Sequence, residues 1–218
     1  MKIKQDLHIR GLTIDWDKIS RSSYLRDIES VAVAYGFNPE GGTKNYSFST
    51  YDSHFQLFEA VRLIKGVRKP KWGYFLRAES FYNVATAEEE YSREQGGVPE
   101  HLHKRSHGES FLAMVQSNFT SDGVYILDEP EAALSPQRQL TLMAEIAECV
   151  REGSQFIIAT HSPVLLGLPG AEILSFDGGR VHGCSYEETE SYRVTKMFID
   201  DRERVLRRLL NADERPEE

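Results

Sequence analysis

The sequence predicts an α/β domain, a mostly parallel sheet flanked by helices with an antiparallel β edge. Two short apolar runs, Val124–Leu127 and Phe156–Ala159, are typical of buried strands. Between them, apolar residues at helical spacing from Leu140 to Val150, followed by a Glu-Gly pair, predict an amphipathic helix. Two strands joined through a helix are expected to be parallel, with a right-handed crossover.

Length and composition fit one folded domain. The 218 residues include 26 basic and 34 acidic side chains, a net charge of −8, and 40% are hydrophobic. We expect a single domain over residues 1–210 and a charged tail at 211–218. Because the net charge is negative, the domain as a whole has no positive electrostatic field that would attract nucleic acid. No apolar run approaches the ~18 residues of a membrane span or resembles a signal peptide, so a cytoplasmic protein is expected. Cys149 and Cys184 are expected to be reduced thiols in the core.

The first half of the chain gives mixed patterns. Loose alternation in residues 1–20 predicts one or two short strands that form an edge hairpin. Helical spacing predicts a helix within residues 22–36, and residues 55–64 also have helical spacing. The run Trp72–Leu76 predicts a strand. Residues 86–104, with adjacent glutamates, a Gly-Gly pair and few large apolar side chains, predict a mobile insertion.

The second half gives clearer patterns on both sides of the two buried strands. Ser106 and Glu109 have the Ser-x-x-Glu form of a capping box and predict the start of a helix. Near the end of the chain, two short strands around Asp177–Arg180 predict a hairpin. Apolar residues at helical spacing from Val194 to Leu210 predict a final helical segment.

Polar residues follow both buried strands, at the sheet edge where α/β proteins bind ligands. Asp128 and Glu129 end the first strand, and His161 comes just after the second. This pattern suits Mg²⁺-dependent phosphoryl chemistry, in which Asp128 holds the cation and Glu129 activates water. His161 would contact the γ-phosphate from the opposite side. The plainer interpretation, a turn cap at Asp128 and a solvated Glu129, stays open.

The helix that starts at Ser106 offers a second candidate contact for an anion. Gly108 in its first turn admits close approach of backbone to phosphate, and the helix start has exposed N–H groups and a favourable dipole. A capping box alone is common and weakly specific. The order and spacing of this helix start and the two strand ends together favour a nucleotide site.

Together these segments resemble the ABC-type ATPases. Ser106–Ser110 resembles their signature motif, Val124–Glu129 their Walker B strand, Ala133–Pro136 their D-loop and Thr160–Pro163 their switch-histidine loop. The likeness is greatest to the small stand-alone AAA-family ATPases that share the ABC head of chromosome-maintenance and recombination proteins. In that family, two heads enclose two ATP molecules between them.

The resemblance implies an ATPase that uses ATP and Mg²⁺, works as a homodimer and acts on a protein or DNA partner that the sequence does not define. The signature helix of one copy would face the γ-phosphate bound by the other copy, and the D-loop would lie on the dimer side. The implied site residues are Asp128 for magnesium, Glu129 as general base and His161 as γ-phosphate switch for catalysis, and Ser106, Gly108, Glu109 and Ser135 for the nucleotide.

The sequence departs from the family at the phosphate-binding loop. The form G-x-x-x-x-G-K-[ST] would precede the helix that ends at Gly36, but no Gly-Lys dipeptide occurs, and Arg21–Ser30 stands in its place. Gly41–Lys44 is a substitute candidate without the preceding strand or the following apolar helix. Glu79 stands near the family's glutamine loop. An alternative function is therefore a non-hydrolysing dimerisation or partner-binding module with the same fold.

Two other kinds of site are weaker. Ser110 in Gly-Glu-Ser-Phe-Leu lacks the second glycine that the nucleophile elbow of a serine hydrolase needs. A metal site built from His101, His103 and His107 lacks a fourth ligand at suitable spacing.

Overall fold

The computed structural model describes residues 12–14, 28–43, 63–65, 70–79, 81, 106–176 and 181–210. The predicted insertion at 86–104, the charged tail at 211–218 and most of Arg21–Ser30 lie outside these residues.

The described part of the chain contains both strands and helices. The strands are β1 (Leu12–Ile14), β2 (Leu63–Lys65), β3 (Trp72–Arg77), β4 (Gly123–Asp128), β5 (Gln155–Ala159), β6 (Ile173–Ser175) and β7 (His182–Cys184). The helices are α1 (Ile28–Tyr35), α2 (His107–Asn118), α3 (Pro136–Arg151), α4 (Pro163–Leu166), α5 (Glu190–Asp200) and α6 (Arg202–Leu210). Short 3₁₀ turns occupy Pro130–Ala133 and Tyr186–Glu188.

The predicted α/β class, with a parallel sheet and antiparallel strands beside it, is confirmed. Strands β3, β4 and β5 lie side by side in that order, all parallel. The predicted hairpin is present as the antiparallel pair β6 and β7, and Gly42 forms an antiparallel bridge with Phe75 of β3. Within the described residues, no helix is both long enough and apolar enough to span a membrane.

The sheet is covered by helices on both faces. Side chains alternate along a strand, so neighbouring residues of β3 and β4 enter different clusters. Phe75 and Ile126 pack in the cluster that includes α1. Tyr74 and Leu127 pack in the larger cluster that includes residues of α2 and α3. The loops after the strands therefore lie at the edge of a sheet that is packed on both faces.

The buried face of α3 differs from the predicted one. The spacing favoured the face of Leu140, but Leu140 is exposed, whereas Gln139, Leu142 and Cys149 are buried. Apolar residues occur around much of this helix, and the amide of Gln139 is accepted on the buried face because it is hydrogen-bonded there. The free Cys149 is a core thiol as predicted, but the free Cys184 is only half-buried.

Three further elements correct the sequence analysis. Residues 63–65 form a strand, not a helix, and pair antiparallel with β1, while the other residues of the predicted N-terminal hairpin lie outside the described residues. The final helical segment breaks at Asp201, whose carboxylate caps α6 by accepting from the Arg204 N–H at 3.2 Å. Strand β5 is half-buried rather than buried, since it is an outer strand of the described sheet.

Candidate functional site

The carboxyl ends of β4 and β5 bring two of the predicted site residues together. The parallel ladder continues one residue past β4, where the Glu129 N–H donates to the Ala159 carbonyl at 3.0 Å. Two residues after Ala159, His161 places its Nε2 atom 3.8 Å from Glu129 Oε1. The side chains of Glu129 and His161 are 54% and 85% exposed. They form a carboxylate and imidazole pair that faces solvent at this edge.

Glu129 has a strained backbone. Its φ of 46° and ψ of 49° lie in the left-handed region, which favours glycine and which other L-residues rarely adopt. It also precedes Pro130, and a residue before proline favours extended conformations. Strain of this kind costs about 1–3 kcal/mol and clusters at functional sites.

Asp128 is paired with an arginine that the sequence analysis did not single out. Arg77 ends β3 directly opposite Asp128 in the parallel register. Its Nε lies 3.2 Å from Asp128 Oδ2, an ion pair without hydrogen-bond alignment, and its Nη1 donates to Glu29 Oε2 at 2.6 Å. All three side chains are less than one-fifth exposed. The only sequence signal was a basic residue at the end of an apolar strand.

The carboxylate oxygens at this edge are of the type that binds magnesium in proteins. Among the described residues, Glu29, Glu79 and Asp128 surround Arg77. Magnesium is held in proteins by one or two carboxylates together with water and substrate phosphates. Among the described residues, no group of three or more acidic, histidine or cysteine side chains could hold a metal ion. An ion at Asp128 therefore depends on phosphate and water oxygens and shares the carboxylate with Arg77.

The substitute phosphate loop is not supported. The Gly41 N–H donates to the Asn38 carbonyl at 3.0 Å, and the Gly42 N–H donates to the Phe75 carbonyl at 2.7 Å. Both amides are thus already bonded, one within a turn and one in the bridge to β3. Lys44 lies outside the described residues.

The starts of α2 and α3 lie against each other. Glu109 closes the predicted capping box by accepting from the Ser106 N–H at 3.0 Å. Its other carboxylate oxygen accepts from Arg138 Nη2 at 3.0 Å. Ser135 caps α3, and its hydroxyl accepts from the Arg138 N–H at 3.4 Å. Arg138 therefore connects the segment of Ser106 and Glu109 to the segment of Ser135.

Gly108 has a packing reason to be glycine. A Cβ atom there would lie 3.0 Å from the Ala133 carbonyl oxygen and 2.9 Å from Arg138 Nη1, so the absence of a side chain lets α2 approach the turn before α3. Ser110 is 1% exposed and donates to the Ser106 carbonyl. Its burial adds to the case against a serine nucleophile.

The sequence analysis assigned no role to a third carboxylate, which lies in the turn after β4. Glu131 accepts three hydrogen bonds from the loop that carries His161: from Thr160 Oγ1 at 2.7 Å, from the His161 N–H at 2.6 Å and from the Ser162 N–H at 3.1 Å. The sequence showed only a third acidic residue close to Asp128, with no pattern that pointed to this loop.

A comparison with protein families matches part of the chain. A family model described as AAA domain, putative AbiEii toxin, Type IV TA system matches residues 106–167. The matched segment runs from the start of α2 to just past α4 and holds all seven predicted site residues. No curated protein matches the chain.

One solved chain is similar over most of its length. It comes from work described as "Structural biochemistry of ATP-driven dimerization and DNA stimulated activation of SMC ATPases" and is 16% identical. The similarity covers 86% of this chain and 93% of that chain, with a TM-score of 0.33. This TM-score is too low to establish a shared fold.

Proposed function

We propose that the chain is an ABC-type ATPase head of the AAA family, which binds Mg-ATP between two copies of itself and hydrolyses it. The observation that carries this proposal is the pair of Glu129 and His161 at the carboxyl edge of a parallel sheet. Glu129 is held there in a strained conformation, with its carboxylate exposed and 3.8 Å from the imidazole. The AAA-domain match to residues 106–167 supports the same assignment.

Each residue of this edge has a distinct role in the proposed reaction. Glu129 accepts a proton from the water that attacks the γ-phosphate, and His161 contacts the γ-phosphate itself. Asp128, kept in place by Arg77, is the carboxylate for magnesium, which neutralises charge that develops on the phosphates when it is bound. The exposure of Glu129 and His161 leaves both within reach of a nucleotide.

The second copy supplies the remaining contacts. Ser106, Glu109 and Ser135 are exposed, and contacts to Arg138 hold their segments together. A surface that combines the starts of two helices favours an anion through N–H groups and helix dipoles. In the proposed homodimer, Ser106 faces the γ-phosphate bound by the other copy and Ser135 lies on the dimer side, while Gly108, which is buried, contributes by letting the start of α2 pack closely against the turn before α3.

A single substitution tests the catalytic role. Glu129→Gln keeps the shape of the side chain but removes the base, so we expect ATP turnover to fall by about 10²- to 10⁴-fold. Mg-ATP-dependent dimerisation, followed by analytical ultracentrifugation, should persist in this variant. Glu172→Gln, an exposed carboxylate before β6, is the matched control and should hydrolyse ATP at the wild-type rate. Unchanged turnover in Glu129→Gln would remove Glu129 from the mechanism.

A non-hydrolysing dimerisation or partner-binding module is the second candidate, and particular observations favour it. The sequence has no Gly-Lys dipeptide, the amides of Gly41 and Gly42 are already bonded, and Arg77 already compensates Asp128. Calorimetric titration of Mg-ATP into the full chain with Glu129→Gln separates the two candidates. Micromolar binding supports the ATPase, whereas no heat at millimolar ATP supports the module.

A further inference from the structure

In the loop at residues 160–162, Ser162 is buried but the His161 side chain has little packing to hold it. The His161 side chain is 85% exposed, so burial contributes little to its position. The loop is instead bonded to Glu131, which accepts from the Thr160 hydroxyl and from the backbone N–H groups of His161 and Ser162. Hydrogen bonds to a carboxylate are stronger than those between neutral groups.

We propose that Glu131 is a positioning residue that sets the distance between His161 and Glu129. Glu131 stands two residues after Glu129, in the 3₁₀ turn Pro130–Ala133. A bond from this turn to the His161 backbone therefore fixes the two partners relative to one another. This inference rests on the proposed function, because the distance matters only if both side chains act on the same phosphate.

A second connection leads from the same loop to the segment that is proposed to face the second copy. The Ser162 hydroxyl donates to Gln139 Oε1 at 2.5 Å, and Gln139 Nε2 donates to the Leu134 carbonyl at 3.2 Å. Gln139 is buried, and Leu134 directly precedes Ser135. Glu131 and Gln139 thus join the His161 loop to both the turn after β4 and the start of α3.

Backbone hydrogen exchange of the full chain, with no nucleotide present, tests whether Glu131 holds the loop. In Glu131→Ala, the His161 amide loses its acceptor and should exchange about tenfold faster or more, whereas the Ser162 amide keeps the Thr160 hydroxyl oxygen at 3.0 Å and should change less. Glu131→Gln keeps one oxygen for both amides, and the Thr160 hydroxyl can turn to accept from the new NH₂ group, so most protection should return. Glu172→Ala is the control and should leave both amides as in wild type. Equal exchange in Glu131→Ala and Glu172→Ala would overturn the inference.

Steady-state kinetics with Mg-ATP then test the positioning role. Glu131→Ala should lower kcat by about tenfold or more with little change in KM, because misplacement of His161 affects the reacting phosphate and not the rest of the nucleotide. Glu131→Gln should recover most of kcat. Faster amide exchange with an unchanged kcat would also overturn the inference. If the wild-type chain shows no turnover, the proposed function fails, while the exchange experiment still decides whether Glu131 holds the loop.

Discussion

Replacing Arg77 by alanine is expected to destabilise the protein strongly. The guanidinium lies between Glu29 and Asp128, whose side chains are 12% and 19% exposed. Its loss removes the cation that lies between these two largely buried carboxylates. Breaking a buried ion pair on one side costs about 3–5 kcal/mol, and the remaining exposure places this case at the lower end, about 3 kcal/mol. That is a large share of a typical folding free energy of about 5–15 kcal/mol.

Urea denaturation at pH 7 measures this loss directly. With a denaturant dependence of about 2 kcal/mol per molar, a loss of about 3 kcal/mol lowers the urea midpoint by about 1.5 M. The control is Arg151→Ala, which removes an exposed ion pair with Glu148. Exposed pairs of this kind contribute about 1 kcal/mol or less.

A rescue variant separates the charge effect from simple loss of packing. Glu29→Gln and Asp128→Asn in the Arg77→Ala background remove both negative charges, so a large part of the lost stability should return. A loss in Arg77→Ala no larger than in Arg151→Ala would refute the reasoning. So would a failure of the two neutral substitutions to restore any stability.

Two further predictions concern packing and pH. Gly108→Ala should cost about 1–3 kcal/mol in urea denaturation, since its Cβ would press against the Ala133 carbonyl and Arg138. Gly183→Ala should cost much less, because its Cβ would meet only the Ile173 carbonyl oxygen, at an ordinary contact distance of 4.0 Å. Equal effects would contradict the packing argument. Burial, helped by neighbouring glutamates, raises the pKa of the Cys149 thiol above its ordinary value of 9.0. The unfolded chain therefore releases this proton at a lower pH than the folded protein does. The contribution of the protonated thiol to the free energy of unfolding consequently falls as pH rises from about 9 towards the raised pKa. Cys149→Ala should make the decline in urea midpoint between pH 8 and 10 less steep than in wild type, and an equally steep decline would contradict the assignment.

The meeting of Glu129 and His161 could be predicted from the sequence because it follows from topology. Two apolar runs joined by a helix form neighbouring parallel strands, and the carboxyl ends of such strands share one edge. The residues just past each run must then lie close together, whatever the details of packing. The capping box at Ser106 was equally predictable, since Ser106 and Glu109 interact within one helical turn.

The roles of Arg77 and Glu131 could not be predicted because their partners are distant in sequence. Arg77 and Glu29 are 48 residues apart, and Glu131 and Thr160 are 29 apart. No periodicity or short motif encodes such pairs, and each becomes visible only when the sheet places the segments together. Gly108 illustrates the same limit, because its interpretation as a phosphate contact did not include its packing against the turn before α3.

The conformation of Glu129 bears on which of the two candidate functions is correct. A left-handed backbone at this position costs about 1–3 kcal/mol, and glycine would relieve that cost because it has no Cβ. The Glu129 side chain returns little stability, since it is exposed and its contact with His161 is a 3.8 Å approach to an even more exposed imidazole. In the proposed hydrolase this strained turn has a use, because it directs the base into solvent, where a water molecule and a phosphate can reach it.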